Sequence, residues 1–425
     1  MSSCWLNNMV VTTEKEARGH GKKSSEPVRY GKYTEIRTRD YEFQFNQAGE
    51  VKFIRGLATG WPHPSERLKR TDGNDWVYYT VGKESGSNGI ISWMGEYYLP
   101  CLPYPSNSIW DFNPFIDPNI MQALGAWSQL YADLYGVSPN AVPPDIHQML
   151  SRIRQSDENT LYQRSRQLFA ISGERISVLP PDARHVDYEV IPIVIADGCL
   201  YHCSFCCVQS QQRYQPRSQK NIREQIDNLK SFNGPRLENY HALFLGNHDA
   251  LGAGTESICM AAVEAFKAFG FERISGDRPK LYLFGSVDSL LRAGNELFTA
   301  LNGLPYSTCI NIGFESVDQQ TLKTINKPLS VSKIDAAFQK MLSINKDYSD
   351  IEMTGNFLIG EGLSHAHHQS LADFLESAPG SFGNKGAVYL SPLMGVQQNY
   401  NALPAFFEVK SRSHVPAYIY LIQRL

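Results

Sequence analysis

Three cysteines within a short segment carry the clearest chemistry in this sequence. Cys199, Cys203 and Cys206 have CxxxCxxC spacing and follow an apolar run that ends at Ala196. A loop this tight can wrap three thiolates around one [4Fe–4S] cluster, because each thiolate then binds a different iron. The remaining iron stays open to an exogenous ligand. The spacing therefore predicts an iron–sulfur centre that does chemistry on a bound molecule.

A zinc site and buried, unliganded cysteines are the alternatives to a cluster. Cys207 is available as a fourth thiol, but adjacent cysteines diverge, and structural zinc sites usually pair two short knuckles that lie far apart in the chain. The sequence has no second knuckle. A zinc-dependent nucleic-acid module also fits poorly with 40 Lys and Arg against 43 Asp and Glu. We therefore favour the cluster.

The elements that must position these thiols alternate between strand and helix. After Asp187, short apolar runs alternate with segments of helix length, a pattern typical of parallel β/α structure. In a β/α barrel the chemistry lies at the carboxyl ends of the strands, which is where the cysteines fall. We therefore predict an α/β fold built on a partial (β/α)6 barrel. The predicted strands are 188–196, 242–246, 281–285, 308–313, 353–360 and 387–391, and the predicted helices are 218–232, 256–269, 288–301, 330–344 and 365–377.

The first half of the chain has a different pattern. Residues 41–45 and 51–54 flank a turn and predict a hairpin, and 76–81 and 90–98 predict further short strands. Apolar residues at helical spacing follow between 120 and 168. The predicted organisation is a flexible tail at 1–25, a β-rich and then helical module at 26–185, the barrel at 186–396 and a C-terminal extension at 397–425.

Composition favours a soluble intracellular protein. The chain has 425 residues, 42% of them hydrophobic and 20% charged, which is ordinary for a globular protein. No apolar run reaches the roughly 18 residues needed to span a bilayer, so we expect no membrane association. The first 25 residues lack the apolar stretch of a secretory signal. Eight cysteines, half of them clustered, are typical of a metal or redox site in a reducing compartment, so we expect a cytoplasmic protein.

The cysteine motif, with the aromatic Phe205 just before its last ligand, resembles that of the radical S-adenosylmethionine (SAM) superfamily. A second similarity lies in IGFES at 312–316 and LKTINK at 322–327. These resemble a "GxES … LKxINK" stretch of the branch that contains coproporphyrinogen oxidases, elongator catalytic subunits and methylthiotransferases. The resemblance covers residues 187–395 and implies that the barrel is a radical SAM barrel, which the β-rich and helical module predicted above precedes.

A third similarity lies in LFLGNHD at 243–249, which stands where the family has a glycine-rich motif after its second strand. In the family that motif receives the methionine amino group of SAM. Asn247 and His248 replace two of the usual glycines. A second cluster is not expected, because only Cys4 and Cys101 precede the motif and none follows Cys309.

The resemblance implies which residues contact SAM. It assigns Glu315 to the ribose or methionine moiety, Lys327 to the carboxylate, Ser286 to a contact after the third strand and Asn356 to the ribose hydroxyls. Electrostatics supports two of these residues independently. A bound methionine zwitterion needs an acceptor near its ammonium and a cation near its carboxylate, which Asp249 and Lys327 supply. A helix N-cap is the alternative for Asp249, and a solvated lysine at a helix end for Lys327. The full set of implied SAM contacts is Phe205, Gly246, Asn247, Asp249, Ser286, Glu315, Lys327 and Asn356.

The implied reaction is reductive cleavage of SAM. An external reductant such as flavodoxin or ferredoxin supplies an electron, and the products are methionine and a 5′-deoxyadenosyl radical that takes hydrogen from an organic substrate. The sequence identifies neither that substrate nor a catalytic side chain. Nucleic acid is not the expected substrate, since charge is balanced. The runner-up is a cluster-bearing binding or electron-transfer protein without catalysis, suggested by Asn247 and His248.

Two other groups of residues have interpretations of their own. Three histidines, His365, His367 and His368, begin a predicted helix, and their spacing favours a solvated helix face over a metal site. A set of aromatic residues in the first half is either a lid over the barrel mouth or the core of the β-rich module. These aromatic residues are Trp93, Tyr97, Tyr98, Tyr104, Trp110 and Phe112.

Overall fold

The computed structural model describes residues 1–16, 32–57, 76–79, 89–90, 118–174, 180–186, 190–206, 212–246, 248–273, 278–379, 385–393 and 402–422. The strands of the first half are β1 (Ser2–Leu6), β2 (Met9–Glu16), β3 (Lys32–Arg37), β4 (Tyr41–Phe45), β5 (Val51–Gly56), β6 (Trp76–Tyr79) and β7 (Gly89–Ile90). Three helices follow: α1 (Pro118–Tyr135), α2 (Pro144–Arg154) and α3 (Glu158–Ser172).

The second half alternates strands and helices. Its strands are β8 (Ile191–Pro192), β9 (Ala196–Asp197), β10 (Gln215–Pro216), β11 (Ala242–Phe244), β12 (Lys280–Ser286), β13 (Ser307–Glu315), β14 (Ile351–Ile359), β15 (Val388–Pro392) and β16 (Ala417–Ile422). Its helices are α4 (Gln219–Asn233), α5 (Thr255–Phe269), α6 (Val287–Arg292), α7 (Asn295–Asn302), α8 (Gln319–Thr324), α9 (Val331–Asp347), α10 (His365–Ser377) and α11 (Ala402–Arg412).

An antiparallel sheet forms from the strands of the first half. Within the described residues its order is β1-β2-β3-β4-β5-β7, and the predicted hairpin is confirmed as β4–β5. In the turn, the Asn46 side chain accepts the backbone N–H groups of Ala48 and Glu50 at 3.0 and 3.1 Å. Gly49 has φ +86°, and a Cβ there would lie 2.4 Å from the backbone of Arg152 in α2. The turn therefore needs glycine both for its conformation and for the helix packed on it.

The first 16 residues correct the expected tail at 1–25. They form β1 and β2, which pair in antiparallel register. Met9 and Val11 are buried, because alternate residues of a strand face the core. The charged end of β2 suggested a solvated tail, but Lys15 forms an ion pair with Glu35 of β3 at 2.5 Å. The charge of Lys15 is thus balanced by a glutamate on the neighbouring strand.

The predicted helices between 120 and 168 are confirmed as α1, α2 and α3. Helix α1 contacts β4 and β5, and α2 contacts β1 and β2, so both cover the antiparallel sheet. Residues at three- and four-residue spacing, such as Ile146, Met149, Leu150 and Ile153 of α2, point into the shared core.

The parallel sheet confirms the α/β fold class. Within the described residues its order is β6-β16-β15-β14-β13-β12-β11-β8, and every neighbouring pair is parallel. The six predicted strands occupy adjacent places in chain order, as in a partial (β/α)6 barrel. The carboxyl ends of these strands meet at one edge of the sheet, which we call the mouth. The opposite edge is called the amino edge.

Three parts of this sheet differ from expectation. The predicted helix at 288–301 is two helices, α6 and α7, because Ala293 adopts an extended backbone with ψ 126°. The strand predicted at 76–81 is β6, which pairs in parallel with β16 and not with the antiparallel module. The predicted extension at 397–425 contributes α11 and β16, and β16 pairs with β15 as a further parallel strand. A strand at the side of a sheet offers unpaired backbone groups, and β16 pairs with those of β15 while β6 pairs with those of β16.

The antiparallel sheet docks at the amino edge. Helix α4 runs from the mouth to the start of β11, so its C-terminus lies at the amino edge. There, Arg236 in the turn after α4 binds Glu50 at 3.0 Å, and the backbone N–H of Lys32 donates to Asn239 at 2.9 Å. The predicted lid aromatics lie outside the described residues. No helix in the described part of the chain is long and apolar enough to cross a membrane.

Candidate functional site

A two-stranded ribbon closes the base of the cysteine loop at the mouth. β9 pairs with β10, and Arg217 forks onto the carboxylate of Asp197, with Nε–Oδ2 at 2.9 Å and Nη2–Oδ1 at 2.6 Å. Arg217 also donates to the carbonyl of Ser172, at the end of α3. Gly198 has φ +74°, and a Cβ there would lie 2.4 Å from the carbonyl oxygen of Arg213. The chain entering Cys199 is thus fixed from both sides.

The cysteines follow at once. Cys203 is buried, and Cys199 and Cys206 are half-buried. Burial raises the pKa of the Cys203 thiol to about 11 and raises the pKa of Cys199, whereas the nearby charge of Lys327 lowers both pKa values. Cys199 and Cys203 also interact electrostatically with each other. A cation bound beside them would convert the thiols to thiolates.

The fit of a metal centre to these residues rests on donor chemistry. Thiolates are the ligands of iron–sulfur clusters, and here two thiols lie close together next to a lysine. Among the residues that the structure describes, no group of three or more His, Cys, Asp or Glu side chains has an arrangement that would hold a metal ion. Cys207, the fourth thiol of the zinc alternative, lies outside the described residues. Phe205 is half-buried and packs against the core.

The segment after α8 contacts the cysteine loop directly. The backbone N–H of Ser204 donates to the carbonyl of Ile325 at 2.9 Å. The Asn326 side chain donates to the carbonyl of His202 at 2.7 Å, from a left-handed backbone with φ 55°. The Lys327 ammonium lies 5.3 Å from the ring centroid of Tyr201. Two sequence motifs more than a hundred residues apart therefore form one surface at the mouth.

Glu315 and Lys327 form a shielded ion pair at the end of β13. Lys327 Nζ lies 3.1 Å from Glu315 Oε1 and donates to the carbonyl of Gly313 at 2.8 Å. The two side chains are only 13% and 4% exposed. The solvated alternative for Lys327 is therefore wrong. Both charges lie beside the cysteines, since Glu315 and Lys327 each influence the pKa of Cys203.

The backbone of Glu315 is strained. Its φ is 68°, a left-handed conformation that costs a non-glycine residue about 1–3 kcal/mol. The register of β13 against β14 shifts between Gly313 and Glu315, which turns the Glu315 side chain back over Gly313. A Cβ on Gly313 would lie 2.6 Å from Glu315 Oε1. Strain of this kind persists only where the surroundings hold it, and it concentrates at functional sites.

Asp249 and Ser286, both predicted to contact SAM, are hydrogen-bonded to each other. The Asp249 carboxylate accepts the hydroxyl and the backbone N–H of Ser286 at 2.6 and 3.1 Å, and the hydroxyl of Ser289. It also caps the short turn that follows by accepting the N–H of Gly252 at 3.2 Å. The N-cap alternative for Asp249 is confirmed, and its oxygens are already hydrogen-bonded.

The glycine-rich segment before Asp249 lies at the end of β11. Gly246 is buried with φ +97°, and a Cβ there would lie 3.4 Å from the Cα of Val194. Asn247 lies outside the described residues. His248 forms a contact of 3.2 Å with Glu174, the residue that follows the C-cap of α3. The sequence did not predict a role for Glu174, because nothing local marks a residue after a helix as part of a distant mouth.

Asn356 belongs to a hydrogen-bonded chain inside the barrel. It donates to Asn311 at 2.6 Å, Asn311 donates to Thr354 at 2.8 Å, and Thr354 donates to Asp182 at 3.1 Å. Tyr389 donates to the other oxygen of Asp182. The sequence did not predict a role for Asp182, although the polar residues at alternate positions of β14, Thr354 and Asn356, were a signal for such a chain.

The three histidines of α10 correct the solvated-face interpretation. His365 is exposed, but His367 is fully buried and His368 half-buried. His367 Nδ1 lies 2.8 Å from the Ser316 hydroxyl, and Nε2 lies 2.8 Å from the carbonyl of Leu358. Burial lowers the pKa of His367 to about 4, so the ring is neutral near pH 7. His367 therefore ties the residue after Glu315 to β14.

No known sequence family matches the chain, and no curated protein is similar to it. Among solved structures it is similar to a radical SAM methyltransferase from Sphaerobacter thermophilus, with 14% identity, 54% of this chain and 66% of that chain covered, and a TM-score of 0.38. It is similar to the cobalamin-dependent SAM radical enzyme OxsB, with 16% identity, 53% and 31% covered and a TM-score of 0.34. Both of these solved structures are radical SAM enzymes.

A further neighbour is Streptococcus suis SuiB bound to SAM, with 11% identity, 71% of this chain and 62% of that chain covered, and a TM-score of 0.33. This chain therefore spans about two thirds of the methyltransferase and about a third of OxsB. At these identities the likeness concerns the fold alone.

Proposed function

We propose that the protein is a radical SAM enzyme that binds one [4Fe–4S] cluster through Cys199, Cys203 and Cys206. The observation that carries the proposal is the contact between the cysteine loop and the Ile325–Lys327 segment. This contact places a shielded anion and cation, Glu315 and Lys327, next to the thiols. Such a pair is what a zwitterionic ligand on an open iron requires.

When bound, the cluster supplies the electron that cleaves SAM into methionine and a 5′-deoxyadenosyl radical. The protein's own residues bind and orient. Lys327 donates to Gly313 and Glu315 and has a third N–H donor to offer a carboxylate. Glu315, held by its strained backbone, offers an acceptor for the ribose or the methionine ammonium. The Tyr201 ring next to Lys327 shields that charge from water.

The remaining SAM contacts divide into two groups. We assign Gly246 and Asn247 to the methionine amino group and Asn356 to the ribose hydroxyls, with Asn311 orienting the Asn356 amide. Phe205 is assigned to packing beside the last cysteine. Asp249 and Ser286 act one step away from the ligand, because their polar atoms bind each other and hold the ends of β11 and β12 together.

The substrate is an organic molecule from which the radical removes a hydrogen atom. We also propose that an external reductant such as flavodoxin or ferredoxin supplies the electron, and that the protein is cytoplasmic. The runner-up is a cluster-bearing binding or electron-transfer protein without catalysis. One observation favours it: His248 contacts Glu174 and Asp249 binds serines, so two residues of the glycine-rich motif are already engaged.

The test is anaerobic purification with iron and sulfide analysis, followed by incubation with dithionite and SAM and an assay for 5′-deoxyadenosine. We expect about four irons per chain and formation of the nucleoside. Cys203→Ala should lose both, whereas Cys259→Ala, in α5 and outside the motif, should keep both.

Other outcomes separate the alternatives. Zinc in place of iron would overturn the proposal. A full cluster that neither binds nor cleaves SAM would favour the electron-transfer protein.

A further inference from the structure

The backbone of Glu315 needs a reason to stay left-handed. Lys327 binds its side chain, but a side-chain ion pair alone leaves the φ and ψ angles free to relax. The residue after it, Ser316, is fully buried and is held at three points. Its N–H donates to the carbonyl of Phe314 at 2.9 Å, and its hydroxyl accepts the N–H of Asp318 at 2.9 Å. The third point is the His367 ring.

The proton positions on His367 follow from its partners. Nε2 faces the carbonyl of Leu358 at 2.8 Å, and a carbonyl can only accept, so Nε2 carries the proton. In a neutral ring Nδ1 is then an acceptor, and the Ser316 hydroxyl donates to it at 2.8 Å. The Ser316 hydroxyl thus accepts from the Asp318 N–H and donates to His367 at 2.8 Å, a shorter contact than its 3.4 Å distance to the Asp318 carbonyl.

His367 is itself rigidly placed. It occupies the first turn of α10, where its backbone N–H donates to the N-cap Ser364 at 3.1 Å. It points inward with Leu371 and Leu375, which are also fully buried. The ring therefore joins the end of β13, the end of β14 and the start of α10. A rotation of the Glu315–Ser316 peptide that displaces the Ser316 side chain would disturb this connection.

We propose that His367 is a positioning residue that fixes the Glu315 backbone through Ser316. It thereby sets the Glu315–Lys327 pair in the geometry that receives SAM. This inference rests on the proposed function, since it assigns His367 a role in SAM binding. It predicts that the hydrogen bond to Ser316, and not the bulk of the ring, controls SAM affinity.

The experiment measures SAM affinity by anaerobic equilibrium dialysis, with circular dichroism and thermal unfolding on the same samples. His367→Leu removes the bond, and His367→Asn keeps a polar atom near the Nδ1 position. We expect His367→Leu to weaken SAM binding at least tenfold and His367→Asn to recover most of that loss. The matched control is His365→Leu, an exposed histidine at the start of the same helix, which should bind like the wild type.

A second variant keeps the inference testable if His367→Leu does not fold. Ser316→Ala removes the same bond from the other side and should weaken SAM binding to a similar degree. Adding Glu315→Gln to either variant should cause little further loss, because both changes act through the same carboxylate. A general loss of packing would instead add to the effect of Glu315→Gln.

The outcomes distinguish the two proposals. A folded His367→Leu or Ser316→Ala protein that binds SAM within twofold of the wild type overturns the positioning role and leaves the proposed function intact. A wild-type protein that carries iron but binds no SAM overturns both. Equal loss in His367→Asn and His367→Leu, additive with Glu315→Gln, shows that His367 only packs and also overturns the inference.

Discussion

Two glutamates lie in shielded ion pairs at opposite edges of the parallel sheet, and they differ in how they are held. At the amino edge, Glu50 accepts hydrogen bonds from Arg236 at 3.0 Å and from the Asn46 side chain at 2.7 Å, and it forms an ion pair with Arg164, whose Nε lies 2.6 Å from Oε1. It is 1% exposed, and its φ does not fall in the left-handed region. At the mouth, Glu315 binds one cation from a strained backbone and is 13% exposed.

We interpret the Glu50–Arg236 pair as structural and propose that the Glu315–Lys327 pair is available to a ligand. Glu50 contacts two arginines and one asparagine and joins two modules, which suits a permanent structural contact. Phe232 reinforces it, since its ring lies 4.4 Å from the Arg164 guanidinium and 4.8 Å from that of Arg236. Glu315 can accept further hydrogen bonds and has an unfavourable backbone conformation, which suits a group that binds a ligand. Under the proposed function, the same kind of ion pair therefore stabilises the structure at the amino edge and binds SAM at the mouth.

The largest expected effect is at the amino edge. Glu50→Ala should lower the free energy of unfolding by about 3–5 kcal/mol, because it leaves Arg236 buried without its anion. Denaturant titration followed by circular dichroism measures this. The control is Glu238→Ala, whose exposed pair with Lys32 lies at the same interface and should contribute less than about 1 kcal/mol. If Glu50→Ala proved as stable as the wild type, the interface would not depend on this pair.

The next effect is acid sensitivity at the mouth. Burial lowers the pKa of His367 to about 4 from 6.5, so the unfolded chain takes up a proton before the folded protein does. Stability from the neutral ring is complete above about pH 6.5, falls as the pH drops toward about 4 and amounts to about 3 kcal/mol. The charge of His368 lowers the pKa of His367, and the charge of Asp318 raises it.

The measurement is the free energy of unfolding of the wild type and of His367→Asn between pH 7 and pH 4. Carboxylates titrate in both proteins, so the difference between the two curves isolates His367. We expect the stability of the wild type to fall more steeply. Parallel curves would show that the ring does not resist protonation.

The sequence could predict the barrel because each β/α unit carries its own local pattern. The hairpin at 41–45 and 51–54 and the cysteine loop after the first strand were likewise local. His367 was misjudged, although its four-residue spacing with Leu371 and Leu375 marks an inward face. The spacing of the three histidines drew attention away from that pattern.

Long-range pairings could not be read from one sequence. The bonds between Asp249 and Ser286, and between Glu50 and Arg236, join residues that only the fold brings together. The strands β1 and β2 were missed for a similar reason, since the charges at the end of β2 are balanced by Glu35 on another strand. The sequence shows directly which residues are charged, but it does not show which distant residue neutralises each charge.

A third prediction tests the strain at Glu315. Glu315→Gly leaves the shielded Lys327 without its anion, which costs about 3–5 kcal/mol, but it also relieves the left-handed backbone, which returns about 1–3 kcal/mol. We therefore expect the free energy of unfolding to fall by less than in Glu50→Ala. SAM affinity, in contrast, should fall by about 1.5–3 kcal/mol, roughly 10- to 100-fold, through loss of a charged acceptor. If this variant lost as much stability as Glu50→Ala, the two pairs would be equally structural and the contrast would fail.

The smallest expected effect concerns the aromatic ring at each edge. The Tyr201 hydroxyl donates to the Asp288 carboxylate at 2.7 Å and accepts the Asp288 N–H at 3.1 Å, which sets its ring beside Lys327. Tyr201→Phe keeps the ring, so it should lower stability by about 1 kcal/mol and leave SAM affinity nearly unchanged. Tyr201→Leu removes the cation–π contact and should also weaken SAM binding by about 1 kcal/mol, roughly fivefold.

The matched change at the amino edge is Phe232→Leu, which removes the ring next to Arg164 and Arg236. It should lower stability without changing SAM affinity, because that edge only joins the modules. Equilibrium dialysis and denaturant titration separate the effect on SAM affinity from the effect on stability. Both are measured on the wild type, Tyr201→Phe, Tyr201→Leu and Phe232→Leu. Equal SAM affinity in Tyr201→Leu and Tyr201→Phe would mean that the Tyr201 ring only packs. If the ring shields a lysine that binds SAM, its removal must change the SAM affinity.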